Sequence, residues 1–310
     1  MGKSLQIMTV IPGRLHGFRL ARAVKCIRIG HAASSIVMVC LKGAQGWLSA
    51  FRAVLRRRDR GHRRAGAVML LLAAVLAPDS VGAACAPSAL TVAVDIGHGP
   101  ASPGATSARG RSEHAFNQEL AARVRDHLVS RGVAARLVLT EAGGAPDLWD
   151  RPRLARAMGA NLLLSIHHDS VQPQYLERGD LEGRPARFSR HAQGHSLFVS
   201  SKNPASDASL AAARAIGRAL ADWGLAPSLH HAEPIPGENR PLLDKALGIH
   251  DFADLIVLKT AAMPAVLVEA GVIVHPEEET RLRDPFHQDM LAEAIARGVL
   301  EACPVLTGQP

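Results

Sequence analysis

Thr91-Val92-Ala93-Val94-Asp95-Ile96-Gly97-His98-Gly99-Pro100 is the stretch from which the fold can be read. Side chains alternate along a strand, so Val92, Val94 and Ile96 share one face, and the Gly-His-Gly-Pro run stops the strand in a loop. The loop continues through 100–111, which is rich in Gly, Ser and Ala and contains two prolines. Ser112 then stands as the cap of a predicted helix with Phe116, Leu120, Ala121, Val124 and Leu128 on one stripe, ending at Gly132. Glu113 therefore falls in the first helical turn.

Working outward, Ala134–Leu139 reads as a second strand, Arg151–Met158 as a short helix and Asn161–Ile166 as a third strand. The order βαβαβ favours parallel strands covered by helices, an α/β fold. Further strands are expected at His195–Ser200, Asp254–Leu258 and Ala265–Glu269, with helices at Ala208–Trp223 and Pro285–Ala302. There is no internal repeat, and no break in composition separates a second domain. Residues 170–250 read as a long insertion: 170–190 is polar and rich in Gly and Pro, and 224–250 carries four prolines with His230 and His231. A long irregular segment in a compact domain more often serves function than mere connection.

The formal charge of +8 is concentrated at one end. Residues 1–84 hold 14 Lys and Arg against 2 Asp and Glu, leaving 22 against 26 from Cys85 onward. The folded part is mildly acidic, which excludes electrostatic capture of nucleic acid as its business. The basic segment suits export instead. Arg56, Arg57, Arg58, Arg60, Arg63 and Arg64 precede the apolar run Ala65–Ala77, Pro78 breaks it, and Val81-Gly82-Ala83-Ala84 offers a peptidase site after Ala83 or Ala84. The run is too short for a permanent membrane span. The expectation is a leader over 1–84, with a signal peptide at 56–84 behind an unused upstream start, and a folded domain over 85–310 that works in the periplasm or cell envelope. A genuinely long leader is the alternative. Cleavage leaves Cys85 and Cys303, which invites a disulfide in an oxidising compartment; acylation of Cys85 is the competing outcome.

Four residues share a placement at strand and helix ends. His98 follows the first strand, Glu113 opens the next helix, His167 follows Ile166 at the end of the third strand, and Glu269 ends the last. Ligand crevices in open α/β sheets lie at the carboxyl ends of the strands, so the four can converge there. Two His and one carboxylate with a free fourth position form a catalytic zinc arrangement, and the remaining Glu can work on the water. Singly, each residue has a bland reading: a tight turn for His98, helix-dipole stabilisation for Glu113, an exposed loop for His167 beside His168. A carboxylate at 269, after Val266-Leu267-Val268, is costly without a partner. The zinc-protease pattern H-E-x-x-H is absent.

In order and surroundings, Val94–Gly99, Glu113 with Asn117 and Leu120, Leu164-Ser165-Ile166-His167-His168-Asp169 and Met263–Gly271 resemble the zinc-dependent N-acetylmuramoyl-L-alanine amidases of bacterial cell separation. The resemblance spans 91 to about 300. It implies His98, Glu113 and His167 as ligands of one zinc per chain, Glu269 as the catalytic carboxylate, and a single domain with a mixed, mainly parallel sheet. It further implies peptidoglycan as substrate and, in some relatives, a helix over the site that an activator protein displaces. Pro100, Val272 and His168 depart from the usual Gly, aromatic and small residues, beside the motif positions. The rival readings are another zinc wall hydrolase, a carboxypeptidase or deacetylase, and a wall-binding module without activity.

Overall fold

Alternation along Thr91–Ile96 (β3) sorts its side chains into two apolar layers, and those layers organise the domain. The structure, a computed structural model, describes residues 85–309 and, separately, two short antiparallel strands, Cys26–Ile29 (β1) and Val37–Cys40 (β2). That early pairing falls in a stretch where the sequence shows no domain-like pattern. The expected signal peptide lies outside the described residues.

From residue 85 the elements are β3, Glu113–Ser130 (α1), Ala134–Leu137 (β4), Asp150–Ala157 (α2), Leu162–Asp169 (β5), Glu177–Leu181 (β6), Arg184–Phe188 (β7), Ser196–Val199 (β8) and Ser206–Asp222 (α3). Then come Leu242–Asp244 (β9), Ile249–Asp251 (β10), Ile256–Lys259 (α4), Ala265–Val272 (β11), Pro276–Arg283 (α5), Pro285–Glu301 (α6) and Cys303–Leu306 (α7). Seven strands form one sheet in the order β4-β3-β5-β11-β8-β10-β9. β4, β3, β5 and β11 run parallel; β8 pairs antiparallel with β11 and parallel with β10, and β9 closes the edge antiparallel. The mixed, mainly parallel sheet is as expected.

One face of the sheet carries Val92, Val94, Ile96, Leu164, Ile166, Val266 and Val268 against α1, α3 and α6. The other carries Ala93, Leu163, Phe198 and Leu267 against Ala155 of α2 and Val257 and Leu258 of α4. Burial on both faces explains why β5 and β11 read as near-continuous apolar runs. It also pins register, because a one-residue slip would exchange the two layers.

The structure corrects four local expectations. Asp254–Leu258 is not a strand: helix α4 occupies Ile256–Lys259, and β10 takes the sheet position beside β8. A short apolar run with no flanking breaker does not distinguish strand from helix. Residues 170–250 are not a single insertion, since they supply β8, α3, β10 and β9 to the domain. Only part of the region, including the β6–β7 hairpin, lies outside the main sheet; its strands are largely exposed, so no apolar alternation betrays them. Ser112 holds the N-cap position of α1, but its side chain makes no capping hydrogen bond. Finally, β5 and β11 run past His167 and Glu269, so both residues lie inside strands. Cys85 and Cys303 are disulfide-bonded with Cα atoms 5.8 Å apart, tying the chain before β3 to the start of α7.

Candidate metal centre

His98, Glu113 and His167 meet at the carboxyl end of the central strands. His98 Nε2 lies 3.0 Å from Glu113 Oε2, and His167 Nδ1 lies 3.0 Å from Glu113 Oε1. One donor atom from each falls within 4.8 Å of the others. The two imidazoles stand edge to face, ring centroids 5.0 Å apart.

The chain around these side chains is shaped to let them meet. His98 has φ of +64°, a left-handed conformation that costs a residue with a Cβ. Its carbonyl accepts a hydrogen bond from Arg151 Nη2 at 2.5 Å, which holds that turn. Gly97 has no side chain because a Cβ there would lie 2.5 Å from the His167 ring. A Cβ on Gly104 would collide with the Glu113 carboxylate and the His98 ring. Around Glu113, the backbone N–H of Ala105 donates to Oε2 at 3.1 Å and Asn117 Nδ2 donates to Oε1 at 3.1 Å. Burial opposes charge on Glu113, but hydrogen bonds from His167 and His98 outweigh it and hold the carboxyl well below its usual range.

Glu269 completes the group. It stands in register with His167 on the neighbouring parallel strand, and alternation from Leu163 and Leu267 places both on one face. Part of the residue is exposed, yet its Oε2 is shielded from solvent and has no hydrogen-bond partner. Burial, reinforced by the nearby charges of Asp169 and Glu113, pushes this carboxyl well above its usual range.

His168 points away from this group. It is buried, its Nδ1 donates to Asn117 Oδ1 at 2.8 Å, and its ring packs on Phe116. Burial pushes its pKa down to about 3, so it is a neutral core residue. Sequence reasoning missed a second set, Asp169, His230 and His231, whose donor atoms also converge. His231 bridges Asp169 Oδ2 and Glu238 Oε2 at 2.8 Å each, and His230 reaches Ser228 Oγ at 2.8 Å and the Ser170 carbonyl at 3.2 Å. The paired histidines were visible in the sequence, but the strand-end aspartate that gathers them lies 61 residues upstream of His230.

The two sets differ in access and in occupancy of their nitrogens. In the second set both ring nitrogens of each histidine are engaged and little side chain is exposed. At the first, His98 and His167 keep 32% and 16% of their side chains exposed, and the engaged nitrogens turn only to Glu113. An open position beside two imidazoles and a carboxylate fits a divalent metal ion.

Comparison with known proteins agrees with the geometry. The sequence profile described as N-acetylmuramoyl-L-alanine amidase matches residues 92–301. The N-acetylmuramoyl-L-alanine amidases AmiA of Salmonella typhimurium and Escherichia coli are each 28% identical to this chain, over 67% of it and 74% of their own length. The amidase Ami1 of Mycobacterium smegmatis superposes with a TM-score of 0.54 at 23% identity, over 69% of this chain and 96% of that one. AmiC2 of Nostoc punctiforme does so with 0.50 at 25% identity, over 69% and 96%. A sheet of this order, a donor set at its carboxyl edge and a profile covering the domain lead to one conclusion: the chain belongs to the N-acetylmuramoyl-L-alanine amidase family, metal-dependent hydrolases of peptidoglycan.

Proposed function

We propose that a single zinc ion held by His98, Glu113 and His167 serves this amidase in cutting the bond between N-acetylmuramic acid and L-alanine, with Glu269 as the proton-transferring carboxylate. The observation that carries this reading is the meeting of three donor atoms within 4.8 Å beside an unpartnered Glu269 oxygen. Zinc bound by such a set supplies a Lewis acid, which lowers the pKa of a water toward about 7 and polarises the scissile carbonyl. Glu269 accepts the proton of the attacking water and delivers it to the departing L-alanine nitrogen. Glu113, kept anionic by its surroundings, orients both imidazoles, while Asn117 and the Ala105 N–H hold Glu113 itself. We read residues 85–310 as the catalytic domain and residues 56–84 as an export signal, which places the work in the periplasm or cell envelope. No helix among the described residues is long and apolar enough to cross a membrane.

The test is mass spectrometry of purified peptidoglycan digested with and without a chelator. Stem peptides with a free L-alanine amino group, lost with the chelator, are expected. Release of D-alanine or acetate would instead identify a carboxypeptidase or deacetylase, and an undigested wall with bound protein would identify a binding module.

A further inference from the structure

A cleft of about 830 Å³ is lined by Ala105, Ser170 and residues of the β6–β7 hairpin. Two of its lining residues lead toward the metal centre: the Ala105 N–H donates to Glu113, and Ser170 follows His167 by three residues. Four arginines line it: Arg109, Arg184, Arg187 and Arg283. Arg109 is taken up, bonded to the buried carboxylate of Glu279 and to Glu182 at 2.8 Å each. Arg184 and Arg187 on β7 and Arg283 at the end of α5 are exposed, and none has an acidic partner within 4.0 Å among the described residues. Across the hairpin Leu181 pairs with Arg184 and Arg178 with Arg187, which fixes the backbone that carries these arginines.

We propose that this cleft is a subsite for the anionic peptide side of the substrate, in which Arg184, Arg187 and Arg283 bind the free carboxylates of the stem peptide and so favour acidic stems over amidated ones. The proposal rests on the amidase reading above. A volume near 830 Å³ lies within the range of ligand pockets and accommodates a short peptide. Guanidinium groups suit carboxylates because their paired N–H donors match two oxygens, whereas a carboxamide offers one acceptor and no charge. Because these cations would touch the stem carboxylates and not the scissile bond, they act on ground state and transition state alike, and their loss appears in KM rather than kcat.

The experiment compares soluble muropeptides that differ only in carboxylate or carboxamide on the stem. Zinc-loaded wild type is expected to show a KM about three- to tenfold lower for the acid form, with similar kcat, and the ratio should shrink with added salt. In R184Q/R187Q and in R283Q the ratio should fall toward one while zinc content stays unchanged. Equal KM for both substrates in wild type, or an undiminished ratio in the variants, overturns the proposal. Calorimetric binding of the same two muropeptides to zinc-loaded Glu269→Gln reads the preference without turnover. If no amide is cut yet the acid form binds tighter and the arginine variants lose this, the amidase reading has failed and the subsite stands; cleavage without preference is the reverse.

Discussion

Arg151 joins the sheet to the metal centre: its Nη2 donates to the His98 carbonyl at 2.5 Å, while its Nη1 donates to Asp95 Oδ1 at 3.0 Å and to the Ile96 carbonyl at 2.6 Å. Asp95 is fully buried and also accepts from Ser165 Oγ at 2.6 Å, so one guanidinium neutralises a core carboxylate and braces the left-handed turn that presents His98. Arg151→Met should strand the Asp95 charge and cost about 3–5 kcal/mol. Arg151→Met/Asp95→Asn should recover much of that stability but not the turn, with zinc affinity still reduced about 10- to 100-fold. Denaturant titration and competitive zinc titration read the two effects separately; full zinc affinity in the double variant would remove the bracing role.

His167 and His168 are adjacent yet lie on opposite faces of β5. His167→Ala should leave the purified protein nearly free of zinc with its fold intact. His168→Ala should retain zinc and lose about 1–3 kcal/mol, because it leaves Asn117 Oδ1 buried and unpaired. Elemental analysis with thermal denaturation distinguishes them, and the opposite pattern would reassign the ligand.

Glu269→Gln replaces a carboxyl that already lacks a partner at Oε2, so fold and zinc content should be preserved. Turnover should fall at least about 100-fold, as expected for loss of a general base. Muropeptide hydrolysis at saturating substrate is the measurement, and a fully active variant would exclude the role.

His231 is enclosed by Asp169 and Glu238, with His230, His250 and Arg240 nearby. Burial opposes its charge, but the field of Asp169 and the hydrogen bonds to both carboxylates prevail and raise its pKa to about 9. A pKa raised above the ordinary value of about 6.5 stabilises fully below that pH, and the contribution fades as pH rises through about 9. The melting temperature of zinc-saturated wild type should therefore decline from pH 6.5 to 9 relative to His231→Gln. Parallel curves would show that His231 does not carry this charge.

The Cys85–Cys303 bond closes a loop with a sequence separation of 218. The chain-entropy account assigns such a loop roughly 5 kcal/mol, although typical measured contributions are nearer 2–4 kcal/mol. Cys303→Ser should lower stability by about the latter amount without altering zinc content. Peptide mapping of exported protein without reductant should recover the linked pair; free thiols or a lipid on Cys85 would contradict it.

Much of the scaffold was legible because it depends on local pattern. Val92, Val94 and Ile96 alternate, Phe116 to Leu128 follow a helical stripe, and βαβ order implies parallel strands, so β3, α1, β4, α2 and β5 were readable within a few residues. The short pieces were not. Ile256–Lys259 and the three-residue strands β9 and β10 contain too few residues to display a period, and tertiary position chose their conformation.

By itself the sequence pointed to the candidates His98, Glu113, His167 and Glu269, because local propensity sets each on or directly beside a strand or helix, even though it misplaced the strand ends at His167 and Glu269. Tertiary structure alone decided what brings them together: the register of β11 on β5 sets Glu269 beside His167, and Arg151 reaches from α2 to hold the carbonyl of His98. It likewise gathered Asp169 with His230 and His231 and set Arg184, Arg187 and Arg283 around one cleft. These pairings join residues tens to a hundred positions apart, and they exist only once burial of both sheet faces has paid the entropy of closing the loops between them.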